Sequence, residues 1–424
     1  MDRLIVQGGA RLSGRLRARG SKNAVLPIMA ACLVADGPLV LRNVPRLRDV
    51  TTLCRILEEL GVSVDHGEDR LVLHAAADGP VEAGYDLVST MRASVCVLGP
   101  LIARRGRARV SLPGGCVFGV RPVDLHVKGL NALGAELRIE GGYLESEVGK
   151  RLHGAPLFLG SAHGSSVLAT AQVLTAACLA EGRTVIENAA MEPEIVELTR
   201  LLVAMGARIE GAGNHRLTID GVERLNGTEW TVGGDRIEAG TFLVGAAMTG
   251  GDVTVEGVVP EDLSALLETL KVMGAGVERD QDSVRVHASD RLRAADVTTL
   301  PHPGFPTDLQ AQIMTAMTRA AGISVVTERI FPDRFMHVAE LLRLGASIRK
   351  EGSQALVVGT EQLSGATVMA SDLRASAALV LAGLVAEGST EIRRVYHIDR
   401  GYERIDARLA SLGAQIRRET QPSS

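Results

Sequence analysis

Leu133-Gly134-Ala135 ends an amphipathic stretch, and two short alternating runs follow it. The phrase recurs as Leu60-Gly61-Val62, Met205-Gly206-Ala207, Met273-Gly274-Ala275, Leu344-Gly345-Ala346 and Leu412-Gly413-Ala414. The spacing is roughly 70 residues each time, a fixed period of the kind that marks repeat architecture. Six copies fill the chain, so the fold turns on what one copy forms and how copies pack.

Each copy opens with an Ala-rich apolar segment that closes on a glycine: Gly37, Gly106, Gly182, Gly251, Gly322 and Gly388. That composition reads as a buried helix with a glycine just past its end. A β-branched run follows, such as Thr184-Val185-Ile186 or Ile323-Ser324-Val325-Val326, and reads as a strand. A loop and a second helix come next. In the first copy that helix carries Val50, Leu53, Ile56, Leu57 and Leu60 at helical spacing, with Asp49 as its expected N-cap. Two short strands, as in Ala207-Arg208-Ile209 and Arg216-Leu217-Thr218-Ile219, close the unit.

The unit is therefore βαβαββ. One unit cannot bury its own helices, but three packed together can, with helices inside and sheets outside. The expectation is an α/β protein of two similar domains, each of three such repeats. The strand Leu4-Ile5-Val6 precedes the first helix, while the last copy lacks a partner for it. The N-terminal strands are expected to complete the C-terminal domain. The expected division is residues 22–233 against residues 1–21 plus 234–424.

The bulk composition narrows the function classes. The chain has 424 residues, too long for one ordinary core. Aromatics are only 3%, so Ala, Val, Leu and Ile must build the interior. Lys plus Arg total 46 against 50 for Asp plus Glu, a net charge of −4, which disfavours a nucleic-acid binder. The run Arg104-Arg105-Gly106-Arg107 reads as a solvated turn. The N-terminus has no apolar stretch typical of a signal peptide, and no apolar run reaches the ~18 residues that span a bilayer. Five cysteines, without CxxC spacing, suit free thiols in a reducing cytoplasm. No His cluster has metal spacing, and no phosphate-loop or dinucleotide fingerprint is present, so no metal or cofactor is expected.

Charge recurs where the buried helices begin: Lys22-Asn23, Arg92, Asp235-Arg236, Asp308 and Arg374. Helix N-termini carry unpaired N–H groups and partial positive charge, so added Lys and Arg suit phosphate and carboxylate ligands. A second feature is Pro113-Gly114-Gly115-Cys116-Val117-Phe118-Gly119-Val120-Arg121-Pro122. A cysteine among glycines and near an arginine suits a reactive thiol, because a nearby cation lowers the thiol pKa. Cys32, Cys54, Cys96 and Cys178 sit on apolar helices and read as small buried hydrophobes. His397, in the matching loop of the last copy, suits a structural hydrogen bond, a ligand contact or a base.

These motifs resemble the UDP-N-acetylglucosamine 1-carboxyvinyltransferase family of enolpyruvyl transferases. The resemblance runs along nearly the whole chain. It rests on Gly20-Ser21-Lys22-Asn23-Ala24, Thr90-Met91-Arg92-Ala93-Ser94, the Pro113–His126 loop, Glu192-Pro193-Glu194-Ile195 and Asp235-Arg236-Ile237-Glu238. It rests also on Phe305-Pro306-Thr307-Asp308-Leu309-Gln310, Arg334-Phe335-Met336-His337, Asp372-Leu373-Arg374-Ala375-Ser376 and the segment 396–404.

The resemblance implies an inside-out α/β barrel fold. It also implies transfer of the enolpyruvyl group of phosphoenolpyruvate to UDP-N-acetylglucosamine, and alkylation by fosfomycin. Lys22 and Asn23 would contact phosphoenolpyruvate, and Arg121, Arg374 and Arg400 would hold its phosphate and carboxylate. Arg92 with Arg121, Pro122, Val123, Asp124 and Leu125 would bind the uridine nucleotide. Asp308 and Ile330 would touch the sugar nucleotide, and Cys116 would be the reactive thiol and proton donor. Catalysis would fall to Cys116, Asp308, Lys22 and Arg400.

One segment departs from the family pattern. Family members carry a short Ser-Val loop followed by Gly or Thr-Gly near the diphosphate. Here Gly160-Ser161-Ala162-His163-Gly164-Ser165-Ser166-Val167-Leu168 is longer. Ser166-Val167 aligns, and Leu168 replaces the glycine. The departure keeps a free uridine nucleotide acceptor in view. A shikimate 3-phosphate acceptor is disfavoured by the Pro-Gly-Gly-Cys loop. A non-catalytic sugar-nucleotide-binding regulator is disfavoured by the joint presence of Lys22, Cys116, Asp308 and Arg400.

Overall fold

The computed structural model of the chain describes residues 2–114, 123–149, 151–161, 164–288 and 291–420. Cys116, Arg121 and Pro122 lie outside the described residues. The chain divides into two compact units, Gly20–Gly233 and Met1–Arg19 with Gly234–Ser424. Gly20 and Ser21 go with the first of these. A Cβ on Gly20 would lie 1.8 Å from the Asn43 carbonyl oxygen, and Ser21 N donates to Gly233 O at 2.8 Å.

Each unit holds three four-stranded sheets of one design. In the third repeat Pro156–Phe158 pairs parallel with Arg183–Glu187, which pairs antiparallel with Arg216–Asp220, which pairs antiparallel with Arg208–Glu210. The helix Val167–Ala177 bridges the parallel pair, as a parallel crossover requires. In four of the six sheets the strands lie side by side in the chain order first, second, fourth, third. Two repeats obtain a strand from a distant part of their unit. Glu229–Thr231 runs parallel to Leu39–Arg42 and fills the first place in the opening repeat of Gly20–Gly233. Asp2–Gln7 lies between Ser389–Arg393 and Gln415–Thr420, antiparallel to both, with Asp2 opposite Thr420. A third parallel pair, Ser13–Arg17 with Asp252–Glu256, has all of residues 20–233 inserted between its strands.

The fold of each unit is the inside-out α/β arrangement. The core helices Lys22–Ala30, Leu98–Arg105 and Val167–Ala177 belong to one unit, and Arg236–Met248, Gln310–Met317 and Leu373–Val385 to the other. Ile237 through Ala247 are all buried, as expected of a helix that is apolar all round and enclosed by sheets. Close approach explains the low aromatic content. A Cβ on Gly99 would fall 2.7 Å from the Gln172 carbonyl oxygen, so the helices Leu98–Arg105 and Val167–Ala177 meet nearly backbone to backbone. The sheets alternate cleanly: Thr184 and Ile186 face in, whereas Arg183 faces out and its guanidinium takes Asp220 on the next strand at 2.7 Å.

Three local expectations are corrected. Asp49 does not cap the helix Arg48–Glu59; Leu47 holds the cap position without a side-chain bond, and the buried Asp49 carboxylate pairs with Lys22 instead. The left-handed turn of the fourth repeat falls at Gly250 (φ 62°), not Gly251. Gly251 is required for another reason, since a Cβ there would lie 2.1 Å from Leu12 O. Arg104 and Arg105 form the last helical turn rather than a solvated loop. Arg104 pairs with Asp36, and Arg105 donates to the carbonyls of Leu60, Pro80 and Ala76. No helix among the described residues is long and apolar enough to cross a membrane.

Candidate active site

In the unit Gly20–Gly233 the predicted residues stand where core helices begin. Ser21 caps Lys22–Ala30 by accepting from Ala24 N at 3.3 Å, a serine cap before an apolar run. Lys22 opens that helix and lies 3.1 Å from Asp49, with its side chain 13% exposed. Half-buried Asn23 follows on the same turn. Arg92, also half-buried, opens the 3-10 turn Arg92–Val97 that leads into Leu98–Arg105. Ser166 caps Val167–Ala177 through Ala169 N at 3.3 Å. In the longer segment before it, Gly160-Ser161 pairs antiparallel with Gly164-Ser165. The elements that these residues open pack on one another, and N–H groups at helix starts together with cations suit anions.

Val123 and Asp124 begin the helix Asp124–Ala132; Val123 is half-buried, Asp124 exposed, and Leu125 buried. His126 comes next and is sealed in the core. Its Nδ1 lies 3.0 Å from Gln172 Nε2. Burial, and then the Arg92 charge, depress its pKa to about 3, so the imidazole is neutral at pH 7.

The other unit gathers a second set. Asp235 caps Arg236–Met248, accepting from Ile237 N at 2.8 Å and Glu238 N at 3.0 Å. Asp308 sits in the 3-10 turn Thr307–Leu309 before Gln310–Met317. Its Oδ1 accepts from Arg334 Nη1 at 2.8 Å and its Oδ2 from Arg374 Nε at 3.3 Å. Arg374 begins Leu373–Val385, which Asp372 caps. It is 1% exposed, yet both terminal guanidinium nitrogens are buried without a hydrogen-bond partner among the described residues. Its guanidinium carbon lies 5.3 Å from the centre of the Tyr402 ring. The Tyr402 hydroxyl is fixed from two core helices, at 2.9 Å from Thr241 Oγ1 and 3.2 Å from Gln312 Nε2. Arg400 closes the turn Val395–Arg400, which packs on Leu373–Val385. The Ile330 backbone N–H donates to Glu328 Oε1 at 2.8 Å. His397 is half-buried, with the Tyr396 ring 4.3 Å away.

The expected set thus falls into two groups. Lys22, Asn23, Arg92, Val123, Asp124, Leu125, Ser166 and Val167 lie in one unit, and Asp308, Ile330, Arg374 and Arg400 in the other. Sequence reasoning missed several supports: Asp49 for Lys22, Gln172 and His126 beside Arg92, Tyr402 beside Arg374, and Glu328 beneath Ile330. Arg334 carried no expected role of its own. The only sequence signal for the rest is polarity inside apolar periodicity, as with Gln172 and Gln312. Among the described residues no group of three or more His, Cys, Asp or Glu could hold a metal ion.

The family model for EPSP synthase (3-phosphoshikimate 1-carboxyvinyltransferase) matches residues 6–409. The UDP-N-acetylglucosamine 1-carboxyvinyltransferase of Trichlorobacter lovleyi is 53% identical over 424 residues, covering 100% of both chains. The protein of the same name from Anaeromyxobacter dehalogenans is 54% identical over 422 residues, covering 99% of each. Among solved structures, the enolpyruvyl transferase NikO from Streptomyces tendae superposes with a TM-score of 0.88 at 25% identity, covering 99% of both chains. EPSP synthase from Acinetobacter baumannii gives 0.76 at 21% identity, covering 99% of this chain and 100% of that one, a likeness of fold alone. On its motifs, its repeated architecture and this full-length identity, the chain belongs to the enolpyruvyl transferases, in the UDP-N-acetylglucosamine 1-carboxyvinyltransferase family.

Proposed function

We propose that this protein transfers the enolpyruvyl group of phosphoenolpyruvate to the 3-hydroxyl of UDP-N-acetylglucosamine and releases phosphate. This is the first committed step of peptidoglycan precursor synthesis, which links it to cell-wall growth, cell shape and division in the cytoplasm. The observation that carries the reading is Arg374. A buried guanidinium with two unpartnered nitrogens is costly unless an anion completes it, and here it adjoins a carboxylate that can act as a base.

The chemistry follows from residue types. Phosphoenolpyruvate becomes electrophilic at C2 when an acid protonates C3, and the Cys116 thiol supplies that proton. The sugar 3-hydroxyl adds to C2 while its proton passes to Asp308. Loss of the C3 proton and of phosphate from the tetrahedral adduct restores the enol ether. Lys22, Asn23, Arg121, Arg374 and Arg400 hold the phosphate and carboxylate by fixed charge and hydrogen bonding. Arg92, Arg121, Pro122, Val123, Asp124, Leu125, Ser166, Val167 and Ile330 bind the sugar nucleotide.

Phosphate release tests the reading. Phosphoenolpyruvate with UDP-N-acetylglucosamine is expected to support turnover, whereas shikimate 3-phosphate or UMP is not; turnover confined to either of those overturns it. Fosfomycin tests the thiol. Burial pushes the Cys54, Cys96 and Cys178 thiols up to about 12 and Cys32 higher still, which leaves them unreactive at neutral pH. Peptide mapping should find one adduct, on Cys116; an adduct on another cysteine, or none, overturns Cys116 as the reactive thiol.

A further inference from the structure

Glu328 is wholly buried, with no Lys or Arg at ion-pair distance among the described residues. Its carboxylate collects four donors. Oε1 accepts from Thr299 Oγ1 at 2.6 Å, Ile330 N at 2.8 Å and Phe331 N at 2.9 Å, and Oε2 accepts from Thr307 Oγ1 at 2.9 Å. Thr307 then accepts from Arg334 Nη1 at 3.0 Å, the same nitrogen that holds Asp308 Oδ1 at 2.8 Å. One side chain therefore ties the turn that carries Asp308 to the loop that carries Ile330.

The repeats show that the scaffold itself does not ask for this residue. Glu328 is the first residue after the strand Ile323–Thr327, which follows a core helix. The equivalent positions are Asn43, Leu112, Asn188, Gly257 and Arg394. At Asn43, Asn188, Gly257 and Arg394 the chain leaves its strand through a left-handed residue, with φ of 55°, 59°, 74° and 59°. Glu328 has no positive φ; its carboxylate turns the chain instead, by taking the next amides. A buried carboxylate is a costly substitute for a left-handed Asn or Gly. It appears in the one repeat whose neighbouring helix start bears Asp308.

We propose that Glu328 is a positioning residue, which locks the Thr307–Asp308 turn and the Ile330–Phe331 loop into one rigid element that receives the acceptor sugar. The inference rests on the functional reading above, in which Asp308 and Ile330 meet the sugar nucleotide. Without the lock Asp308 keeps its charge but loses its aim, whereas Arg374 keeps its place on its own Asp372-capped helix beside Tyr402, and Lys22 lies on another element.

The test is steady-state kinetics of Glu328→Gln with both substrates varied, alongside wild type. Losing one of these charge-assisted bonds misplaces a reacting group, and the expected result is a rise of roughly tenfold in KM for UDP-N-acetylglucosamine with a fall of roughly tenfold or more in kcat. KM for phosphoenolpyruvate should stay within roughly twofold, a split that a general loss of stability would not produce. Thr307→Val cuts the same chain at its second link and serves if E328Q does not fold. Thr307→Ser, which keeps the hydroxyl, should restore wild-type values. Wild-type protein that turns over no UDP sugar removes the functional reading and this inference with it. An active wild type matched in both KM values and in kcat by E328Q, or by T307V, removes the inference alone.

Discussion

Met91-Arg92-Ala93-Ser94 and Leu373-Arg374-Ala375-Ser376 are nearly the same phrase, one in each unit, and the structure treats them differently. Asp372 stands before the second phrase and caps an α-helix, accepting from Arg374 N at 2.9 Å. Thr90 stands before the first, and its hydroxyl turns back to Leu87 O at 2.7 Å, so no side chain caps the start and it forms as a 3-10 turn. Arg374 is buried against Asp308 and Tyr402, whereas Arg92 is half-buried beside a neutral histidine. Near-identical local sequence sets where an arginine stands. The neighbours decide whether it becomes a fixed, desolvated charge or one left partly in water.

Breaking the buried member should have the largest effect. Arg374→Gln removes a desolvated cation and leaves its partner Asp308 under-compensated, a change that costs about 3–5 kcal/mol, so kcat/KM for phosphoenolpyruvate should fall by roughly a thousandfold. Kinetics of the purified variant within tenfold of wild type would contradict the fixed-charge role. Arg92→Gln, at the wetter site, should raise KM for UDP-N-acetylglucosamine by about tenfold with little change in kcat. A selective rise in KM for phosphoenolpyruvate instead would mean that the two arginines share one role.

The histidine beside Arg92 sharpens the contrast through pH. His126 has a folded pKa of about 3 against 6.5 for an ordinary histidine, so the unfolded chain binds the proton more readily. Its contribution is intact above the unfolded value and is lost as pH falls toward the folded one. Between pH 7 and pH 5 this amounts to about 2 kcal/mol. Urea unfolding at the two pH values should show wild type losing that much relative to His126→Gln; equal losses would place His126 in contact with water. The smallest effect is at the caps. Asp372→Ala should cost about 1 kcal/mol, and Thr90→Asp should add a few tenths, both read from thermal melts. A Thr90→Asp variant no more stable than wild type would show that the 3-10 start has a cause other than the missing cap.

The repeat was legible because its signals are local. Leu-Gly-Ala marks a helix end that needs a left-handed residue, and Gly61, Gly134, Gly206, Gly274, Gly345 and Gly413 all have positive φ. Charges at helix starts were legible for the same reason, as Lys22, Arg92, Asp308 and Arg374 show. Partners were not. Asp49 reads as a cap because caps are a nearest-neighbour rule, but a lysine 27 positions earlier takes its carboxylate. Gln172 meets His126 across 46 residues and Tyr402 meets Thr241 across 161. Periodicity tells which side of an element faces inward, not which polar group waits there. Glu328 shows the limit most clearly, since nothing in Thr327-Glu328-Arg329 separates a surface acid after a strand from the buried knot it is.

The strand Asp2–Gln7, held between Ser389–Arg393 and Gln415–Thr420, has a consequence for the order of events on the ribosome. Asp2–Gln7 emerges well before both of its partner strands, so it must wait until Ser389–Arg393 and Gln415–Thr420 are made. The inserted unit Gly20–Gly233 draws all its strands from itself and can finish early. Nascent chains halted shortly after Gly233 has left the tunnel should therefore yield a protease-resistant core that starts near Gly20, with the first 19 residues cleaved away. Protection that already extends to Asp2 at that length would show that the waiting strand has found another partner.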